Sequence, residues 1–216
     1  KIQILNKTFG VTLLFQLEER KIFSSDDPFE LFRRWKNEAK VLELNDPDAI
    51  ALATVDQKGF PNVRMVLLRY IEDDGFVFFT NYESAKGQEI KDSGKIAFVC
   101  HWKSIRRQIR VRGLISKDET RLSEEYFNKR PLESRIGAWA SKQSTVIPNK
   151  AVLLDKINKL RDQLGENPPK PLFWGGFRIK PLEIEFWSDG AYRVHDRFLW
   201  KRSQVDAEWK INRLSP

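Results

Sequence analysis

Hydrophobic residues recur along the chain in short alternating runs that are separated by turn residues. The first and second runs are each followed by a glycine-bearing turn, at Gly59 and at Gly75, and the third run begins directly after Gly75. Alternation with a period of two, interrupted by such turns, predicts antiparallel hairpins in a meander. The predicted strands cover residues 49–55, 62–70, 76–80, 95–102, 106–116, 173–179, 182–187, 192–201 and 208–214.

Helical periodicity separates these groups of strands. Residues 24–28 combine capping side chains with a proline at a first-turn position, which predicts a helix start, and Phe29, Phe32, Trp35 and Ala39 follow at helical spacing. Further helices are predicted over residues 84–91, 118–129, 131–140 and 149–164. Because strands and helices do not alternate, we expect a mostly β fold with attached helices: a closed or partly closed antiparallel barrel.

Composition narrows the class of protein. The 216 residues include seven Trp and fifteen Phe, enough to bury a core, so a disordered chain is excluded. No apolar run approaches the roughly 18 residues of a membrane span, so no membrane association is expected. One cysteine, Cys100, and two histidines, His101 and His195, argue against a disulfide framework and a metal site. A chain with a single cysteine is typical of a reducing compartment. We therefore expect the protein in the cytoplasm, with the mitochondrion as the alternative location.

The net charge of +8 favours anionic ligands. A solvated basic surface would explain the same net charge, and a nucleic-acid-binding surface is a further interpretation. That last interpretation requires exposed aromatics among the cations, whereas most Trp residues follow strand and core patterns. No phosphate-binding glycine loop, nucleophile elbow or zinc-protease motif is present.

Arginine clusters are the candidate binding groups. If residues 192–201 form a strand, Arg193, His195 and Arg197 share one face, where they would either bind an anion or cover a solvated edge. Gln108 lies in a row of arginines and can both donate to and accept from a heterocycle. A Ser84-capped helix start with Lys86 suits a phosphate.

Two more groups complete the candidates. Arg64 and Arg69 bracket an apolar strand centre, and Tyr126, Arg130 and Ser134 could form a second anion pocket around Pro131. A cation near a helix C-terminus would explain Arg130 almost as well. The residues alone therefore predict a basic barrel that binds two phosphate-sized anions.

These residues also carry a family resemblance. The motifs are residues 64–69, Phe79-Thr80, 84–86, Gln108, 126–139, 141–144, 173–176, 183–187, 193–197 and 213–216. Together they resemble pyridoxamine 5′-phosphate oxidase over about residues 27–216. The resemblance implies a single FMN-binding split-barrel oxidase domain over residues 27–216, preceded by a poorly matched segment, 1–26. Arg69 stands where the family usually has Lys.

The family's activity is implied by the same resemblance. Such enzymes act as homodimers with FMN at the subunit interface. They oxidise pyridoxamine or pyridoxine 5′-phosphate to pyridoxal 5′-phosphate in vitamin B6 metabolism, with O₂ as acceptor and H₂O₂ as product.

Site roles are implied position by position. Arg64, Met65, Val66, Leu67, Leu68, Phe79, Thr80, Lys86 and Gln108 would bind FMN from one subunit, and Gln143, Ser144, Trp187 and Arg197 from the other. The substrate phosphate would be bound by Arg69, Tyr126, Arg130 and Ser134, and the substrate ring would be covered by Arg193 and His195. A non-catalytic flavin- or pyridoxal-phosphate-binding barrel is the alternative; an intact Arg193 and His195 favour the enzyme.

Overall fold

The computed structural model describes residues 22–216. Its strands are β1 (Ala49–Val55), β2 (Pro61–Ile71), β3 (Phe76–Asn81), β4 (Lys95–Trp102), β5 (Arg107–Lys117), β6 (Trp174–Ser188), β7 (Asp196–Lys201) and β8 (Lys210–Arg213). The helices that lie wholly within the described residues are α1 (Pro28–Leu42), α2 (Ala85–Ser93), α3 (Leu122–Lys129), α4 (Leu132–Ala140) and α5 (Lys150–Leu164). Residues 1–21, most of the predicted N-terminal segment, lie outside this range.

Strand pairing defines the fold class. The order along the sheet is β3-β2-β1-β4-β5-β6-β7-β8, and an additional antiparallel pairing of β3 with β6 closes the first six strands on themselves. Closure removes the exposed edges of those strands, which would otherwise be open to pairing with other chains. The prediction of an antiparallel split barrel with attached helices is confirmed.

By contacts, the chain separates into two compact units. Of the described residues, one unit comprises 48–99 and 112–181, and the other comprises 22–47, 100–111 and 182–216. The prediction of a single domain over residues 27–216 stays a prediction.

Helix α1 contributes to the core of the unit formed by residues 22–47, 100–111 and 182–216. The Asp27 side chain accepts a 2.8 Å hydrogen bond from Phe29 N, and Pro28 occupies the first turn, so the predicted helix start is confirmed. Phe32 and Trp35 are fully buried, and Trp35 meets Phe186 edge to face with ring centroids 5.2 Å apart. Such tilted aromatic pairs add to the burial of apolar area.

The core of the other unit comes from alternate residues of β1 and from nearly all of β3. Leu52 on β1 and Phe78 on β3 are fully buried, and Phe76 meets Phe98 edge to face at 5.4 Å. The meander predicted for the first three strands is confirmed, because β1 pairs with β2 and β2 with β3, both antiparallel. The helix predicted after Ser84 is also present as α2; the Ser84 hydroxyl accepts from Gly87 N.

One pair of predicted strands is a single element. Residues 173–179 and 182–187 were expected to be separate strands, but β6 runs unbroken through both. Pro181 falls between the residues that pair with β3, which end at Ile179, and those that pair with β7, which begin at Glu183. Its missing N–H therefore removes no bond from either of these two ladders.

The strand predicted over residues 192–201 begins late. The β6–β7 hairpin closes at Ser188 and Asp196, and the connection contains a 3₁₀ turn at Ala191–Arg193, in which Tyr192 and Arg193 have φ of 56° and 64°. The expectation that Arg193, His195 and Arg197 share one strand face is therefore wrong, since only Arg197 lies in β7. Gly190 suits this tight loop, because a Cβ there would lie 1.9 Å from Val194 O.

Candidate active site

A cavity of about 790 Å³ opens in the unit formed by residues 48–99 and 112–181. Its volume lies within the range of small-molecule and cofactor sites. The lining residues are Arg64, Met65, Val66, Leu67, Arg69, Phe79, Thr80, Asn81, Lys86, Tyr126, Arg130, Pro131, Ser134, Gly137, Ala138, Ser141, Gln143 and Trp174. Twelve of the eighteen are predicted site residues. These twelve come from β2, β3, three helices, the connection between α3 and α4, and the loop after α4.

Lys86 lies in the first turn of α2 and is only 9% exposed. Its ammonium donates hydrogen bonds to Gln143 Oε1 at 2.7 Å, Thr80 Oγ1 at 3.0 Å and Ser84 Oγ at 3.3 Å. Burial, followed by the charge of Arg64, lowers the pKa of Lys86 from its usual 10.5 to about 8. A buried ammonium whose hydrogen-bond acceptors are all neutral oxygens favours an incoming anion.

Helix α2 can begin so close to β3 because residue 87 is a glycine. A Cβ at Gly87 would lie 2.1 Å from the carbonyl oxygen of Tyr82, a distance that no side chain could occupy. The close approach places the first turn of the helix, with Lys86, directly after Asn81, the last residue of β3. A helix N-terminus of this kind also presents backbone N–H groups, which suit anions.

Arg64 is held at the same cavity by its own network. Its Nη2 is 3.0 Å from Glu89 Oε2, and its Nη1 donates to the carbonyl oxygen of Leu52 at 3.3 Å and to the hydroxyl of Thr54. The Arg64 side chain is 20% exposed. Both nitrogen ends of the guanidinium are thus anchored to neighbouring elements.

Arg130 forms the second cationic part of the cavity. Its Nη1 is buried without a hydrogen-bond partner, and its guanidinium lies 4.9 Å from the centroid of the Trp174 ring. The pKa of Arg130 is lowered by burial first; Tyr126 acts in the opposite direction, and Arg69 adds to the lowering. Because buried donors in native proteins are nearly always satisfied by protein groups or by ordered water, the free Nη1 is a donor that is available to a ligand in the cavity.

Arg69 reaches the cavity through an irregularity in the sheet. The β2–β3 register shifts between Leu68 and Tyr70, so Arg69 is an extra residue opposite β3. Bulges of this kind redirect a side chain and are frequent beside active sites. Arg69 Nη1 lies 3.3 Å from Asp48, and its guanidinium lies 5.5 Å from the Tyr126 ring.

Three aromatic rings form an apolar wall of the cavity. Phe79 stacks on Tyr126 with centroids 4.4 Å apart and an interplanar angle of 10°, and on Trp174 at 5.6 Å and 11°. Flat aromatic surfaces suit a planar ring system. Trp174 belongs to the motif at residues 173–176, yet it was not among the predicted site residues.

Gln143 lines the cavity of its own chain. The family resemblance implies that Gln143 completes the site from the other subunit, but its amide oxygen already accepts from Lys86 of the same chain. The segment that carries Gln143 follows α4 and also approaches β3, since Asn81 Nδ2 donates to Ser141 O at 3.4 Å. The cavity of one chain therefore already includes Gln143.

Seven predicted residues do not line this cavity. Leu68 is 1% exposed and belongs to the core, and Ser144 lies in the loop after α4 with φ of 71°. The others belong to the second compact unit: Gln108, Trp187, Arg193, His195 and Arg197.

Trp187, His195 and Arg197 make side-chain contacts within the second unit. The His195 ring lies 4.7 Å from that of Trp187, and its Nδ1 is 3.1 Å from Asp189 Oδ1. Arg197 donates to Glu185 Oε1 from Nε at 2.9 Å, and its Nη2 lies 2.8 Å from the same oxygen. Arg193 is exposed in the 3₁₀ turn.

Sequence reasoning missed six lining residues, for different reasons. Asn81, Ser141 and Trp174 adjoin predicted site residues in the sequence, so their polar or aromatic character was an available signal. Pro131, Gly137 and Ala138 carry no such signal, because they contribute backbone and small side chains to the wall. Their presence depends on how α4 packs.

Two features are absent from residues 22–216. No helix in this part of the chain combines the length and apolar character needed to cross a bilayer. The same residues contain no cluster of three or more His, Cys, Asp or Glu side chains that could hold a metal ion.

The architecture is shared with known proteins. The fold is that of the split-barrel class: a structure of PhzG from Burkholderia lata 383, in complex with tetrahydrophenazine-1-carboxylic acid, superposes with a TM-score of 0.84 at 28% identity, covering 91% of this chain and 96% of that one. An FMN-binding protein from Nostoc punctiforme PCC 73102, described as pyridoxamine 5′-phosphate oxidase-related, shares the fold at 16% identity, with a TM-score of 0.69 and coverage of 88% and 98%.

Sequence comparison gives the family. The family model for pyridoxamine 5′-phosphate oxidase matches residues 37–164, and that for the pyridoxine 5′-phosphate oxidase C-terminal dimerisation region matches residues 174–216. The pyridoxine/pyridoxamine 5′-phosphate oxidase of Ruegeria sp. (strain TM1040) is 57% identical, over 90% of this chain and 97% of its own length. That of Bartonella henselae (strain Houston 1) is 53% identical, over 88% and 92%. The chain belongs to the pyridoxamine 5′-phosphate oxidase family and is an enzyme of that type.

Proposed function

We propose that this enzyme oxidises pyridoxamine 5′-phosphate and pyridoxine 5′-phosphate to pyridoxal 5′-phosphate, with FMN as cofactor, O₂ as electron acceptor and H₂O₂ as product. The observation that best supports the proposal is that one cavity contains two cations, Lys86 and Arg130, that have no carboxylate partner among the described residues. Cofactor and substrate each carry one phosphate. Two anion-binding positions and a stacked aromatic wall suit this pair of ligands.

The end of the cavity near α2 fits the cofactor phosphate. Lys86 supplies a buried charge, Arg64 a fixed guanidinium and Thr80 a hydroxyl, and the backbone of β2 from Met65 to Leu67 lines the adjoining wall. Charge-assisted hydrogen bonds of this kind are the strong ones in phosphate recognition. Bound FMN would supply the redox chemistry by accepting a hydride from C4′ of the substrate.

The end near α3 and α4 fits the substrate phosphate. Arg130 offers its unpartnered Nη1, Arg69 is aimed into the cavity by the bulge, and Tyr126 and Ser134 add hydroxyl groups. Arg193 and His195 would cover the substrate ring and hold C4′ in position. Two electrons and two protons leave the substrate, and O₂ is reduced to H₂O₂. With pyridoxine 5′-phosphate this gives the aldehyde directly, whereas with pyridoxamine 5′-phosphate the resulting imine takes up water and releases ammonia.

A homodimer is part of the proposal. The match of residues 174–216 to a dimerisation region supports it, and so does a row of exposed apolar side chains on β2, where Val63 is 65% exposed and Met65 is 63% exposed. Exposed apolar rows of this kind mark interaction surfaces. Ser144, Trp187 and Arg197 would then bind FMN from the other subunit, and Gln108 would bind it from the same subunit as Arg64 and Lys86.

The experiment is a peroxide-coupled assay on the purified protein with each phosphorylated vitamer. We expect a flavin absorption spectrum and peroxide release with both substrates. Pyridoxine without its phosphate is the matched control, and its turnover should be much weaker because Arg130 then has no anion to bind. A protein that carries flavin but releases no peroxide with either phosphorylated vitamer would instead be the non-catalytic flavin-binding barrel.

A further inference from the structure

Glu89 on α2 accepts hydrogen bonds from three side chains beside the cavity. Its Oε2 receives Arg64 Nη2 at 3.0 Å and the hydroxyl of Thr54, and its Oε1 receives Asn62 Nδ2 at 3.1 Å. The Glu89 side chain is only 12% exposed. Both carboxylate oxygens are therefore held by donors from β1 and β2, and the carboxylate has one fixed orientation.

That fixed carboxylate determines where the guanidinium of Arg64 points. Arg64 Nη2 meets Glu89 while Nη1 meets Thr54, and the Thr54 hydroxyl donates onward to Glu89. The three groups form a closed ring of hydrogen bonds. A guanidinium is a planar fork, so two fixed contacts determine its plane. Arg64 is consequently oriented before any ligand enters.

Glu89 also acts on the second cation of this end of the cavity. Lys86 precedes it by three residues on α2, which places the two side chains on neighbouring positions of one helix face. The charge of Arg64 lowers the pKa of Lys86, and the charge of Glu89 raises it. Without Glu89, two partly buried cations would repel each other with no compensating carboxylate from this helix.

We propose that Glu89 is a positioning residue for the cofactor phosphate, which holds the Arg64 guanidinium in its binding orientation and allows Arg64 and Lys86 to share one cavity wall. This inference rests on the proposed function, because it takes FMN phosphate as the anion bound there. Glu89 itself lies outside the cavity lining and acts through Arg64.

A double-mutant cycle on FMN affinity tests the coupling. The variants are Glu89→Gln, Arg64→Ala and the double variant, titrated as apoproteins at about pH 6.5, where Lys86 is charged in each. We expect Glu89→Gln to raise the Kd for FMN about tenfold, because a misaligned guanidinium loses a charge-assisted bond. In the Arg64→Ala background the same change should alter Kd by less than about twofold.

Two further measurements separate positioning from a general structural effect. Riboflavin lacks the phosphate, so its Kd should be the same in Glu89→Gln as in the parent. Glu83→Gln makes the same charge change at an exposed carboxylate just before α2 and should leave FMN affinity unchanged. If Glu89→Gln does not fold, Asn62→Ala is the replacement variant. Asn62 is exposed, and the substitution removes its hydrogen bond to Glu89 Oε1. We expect FMN binding to weaken two- to threefold, roughly the loss of one neutral hydrogen bond.

The outcomes are distinct. Parental FMN affinity in Glu89→Gln, or an undiminished effect in the Arg64→Ala background, would overturn the positioning role and leave the proposed function intact. A parent protein that binds no FMN would overturn both.

Discussion

Lys86 Nζ donates a 2.7 Å hydrogen bond to Oε1 of Gln143, a residue 57 positions further along the chain. This bond joins the start of α2 to the loop after α4 and brings both to one wall of the cavity. The ammonium is thereby fixed by neutral acceptors, which leaves its charge available to a phosphate.

Replacing Lys86 with alanine should weaken cofactor binding without unfolding the protein. A charge-assisted hydrogen bond contributes roughly 1.5–3 kcal/mol, so we expect the Kd for FMN to rise by about one to two orders of magnitude. Flavin retained after dialysis measures the effect. Lys91→Ala, at an exposed position of the same helix, is the control and should retain flavin like the parent. Equal retention by both variants would show that the phosphate lies elsewhere.

Cofactor affinity should depend on pH through Lys86. Its pKa of about 8 lies below the usual 10.5, so the ammonium is charged below pH 8 and loses its proton above it. The FMN phosphate is already dianionic above about pH 7, so it does not titrate in this range. Apoprotein titrations should therefore show the Kd for FMN rising as pH passes 8. Lys86→Met should have a flatter profile between about pH 7 and 9.

Deprotonation of Lys86 at high pH should weaken FMN binding but stabilise the folded apoprotein. Because the folded-state pKa of Lys86 lies below the unfolded value, the unfolded apoprotein binds more protons between about pH 8 and 10.5. This group alone should therefore make the apoprotein more stable as pH rises through that window. Denaturant unfolding of the parent and of Lys86→Met, compared across the window, measures the difference. A parent that gains no stability relative to Lys86→Met would contradict the lowered pKa.

Arg130→Ala should impair substrate binding more than cofactor binding. Loss of the buried guanidinium removes a strong phosphate donor, so we expect KM for pyridoxine 5′-phosphate to rise about tenfold or more while the Kd for FMN stays near the parental value. Lys129→Ala removes a neighbouring exposed cation and serves as the control. A change in FMN affinity with an unchanged KM would reverse the assignment of the two ends of the cavity.

Arg193→Ala should remain yellow but react slowly. If Arg193 holds C4′ in position, its loss can reduce kcat/KM by about a hundredfold, since small misplacements of reacting atoms are costly. His195→Ala should have a smaller effect, and Arg197→Ala should weaken flavin binding as well. The measurement is anaerobic bleaching of the flavin by substrate, with the exposed Lys201→Ala as control. Bleaching of Arg193→Ala at the parental rate would mean that Arg193 is only a surface charge.

Flavin affinity should depend on protein concentration. If residues of both subunits bind FMN, assembly and cofactor binding are linked, and dilution below the dimer dissociation constant should release flavin. Val63→Glu introduces a charge into the exposed apolar row of β2 and should weaken both dimerisation and FMN binding. Leu44→Glu, at a 94% exposed position of the other unit, is the matched control. Sedimentation of a monomer with stoichiometric FMN would contradict the homodimer.

Local features were readable from the sequence because their causes are local. The start of α1 follows from Asp27 and Pro28, and that of α2 from Ser84, since capping depends on a few adjacent residues. The hairpins of β1 to β3 follow from alternation and turns. The expectation of two anion-binding positions also came from residue types alone, and the cavity with Lys86 and Arg130 agrees with it.

The tertiary structure decided what depends on distant residues and on backbone register. Pairing of β3 with β6 closes the barrel, the bulge at Arg69 turns that side chain into the cavity, and Gln143 reaches Lys86 within one chain. The sequence also predicted that Arg193, His195 and Arg197 lie on one face of a strand. Instead, Arg193 lies in a 3₁₀ turn and the strand begins only at Asp196. Alternation specifies which residues could share a face only while the strand continues. Where a strand ends or a residue is inserted depends on long-range pairing and packing, which no local pattern contains.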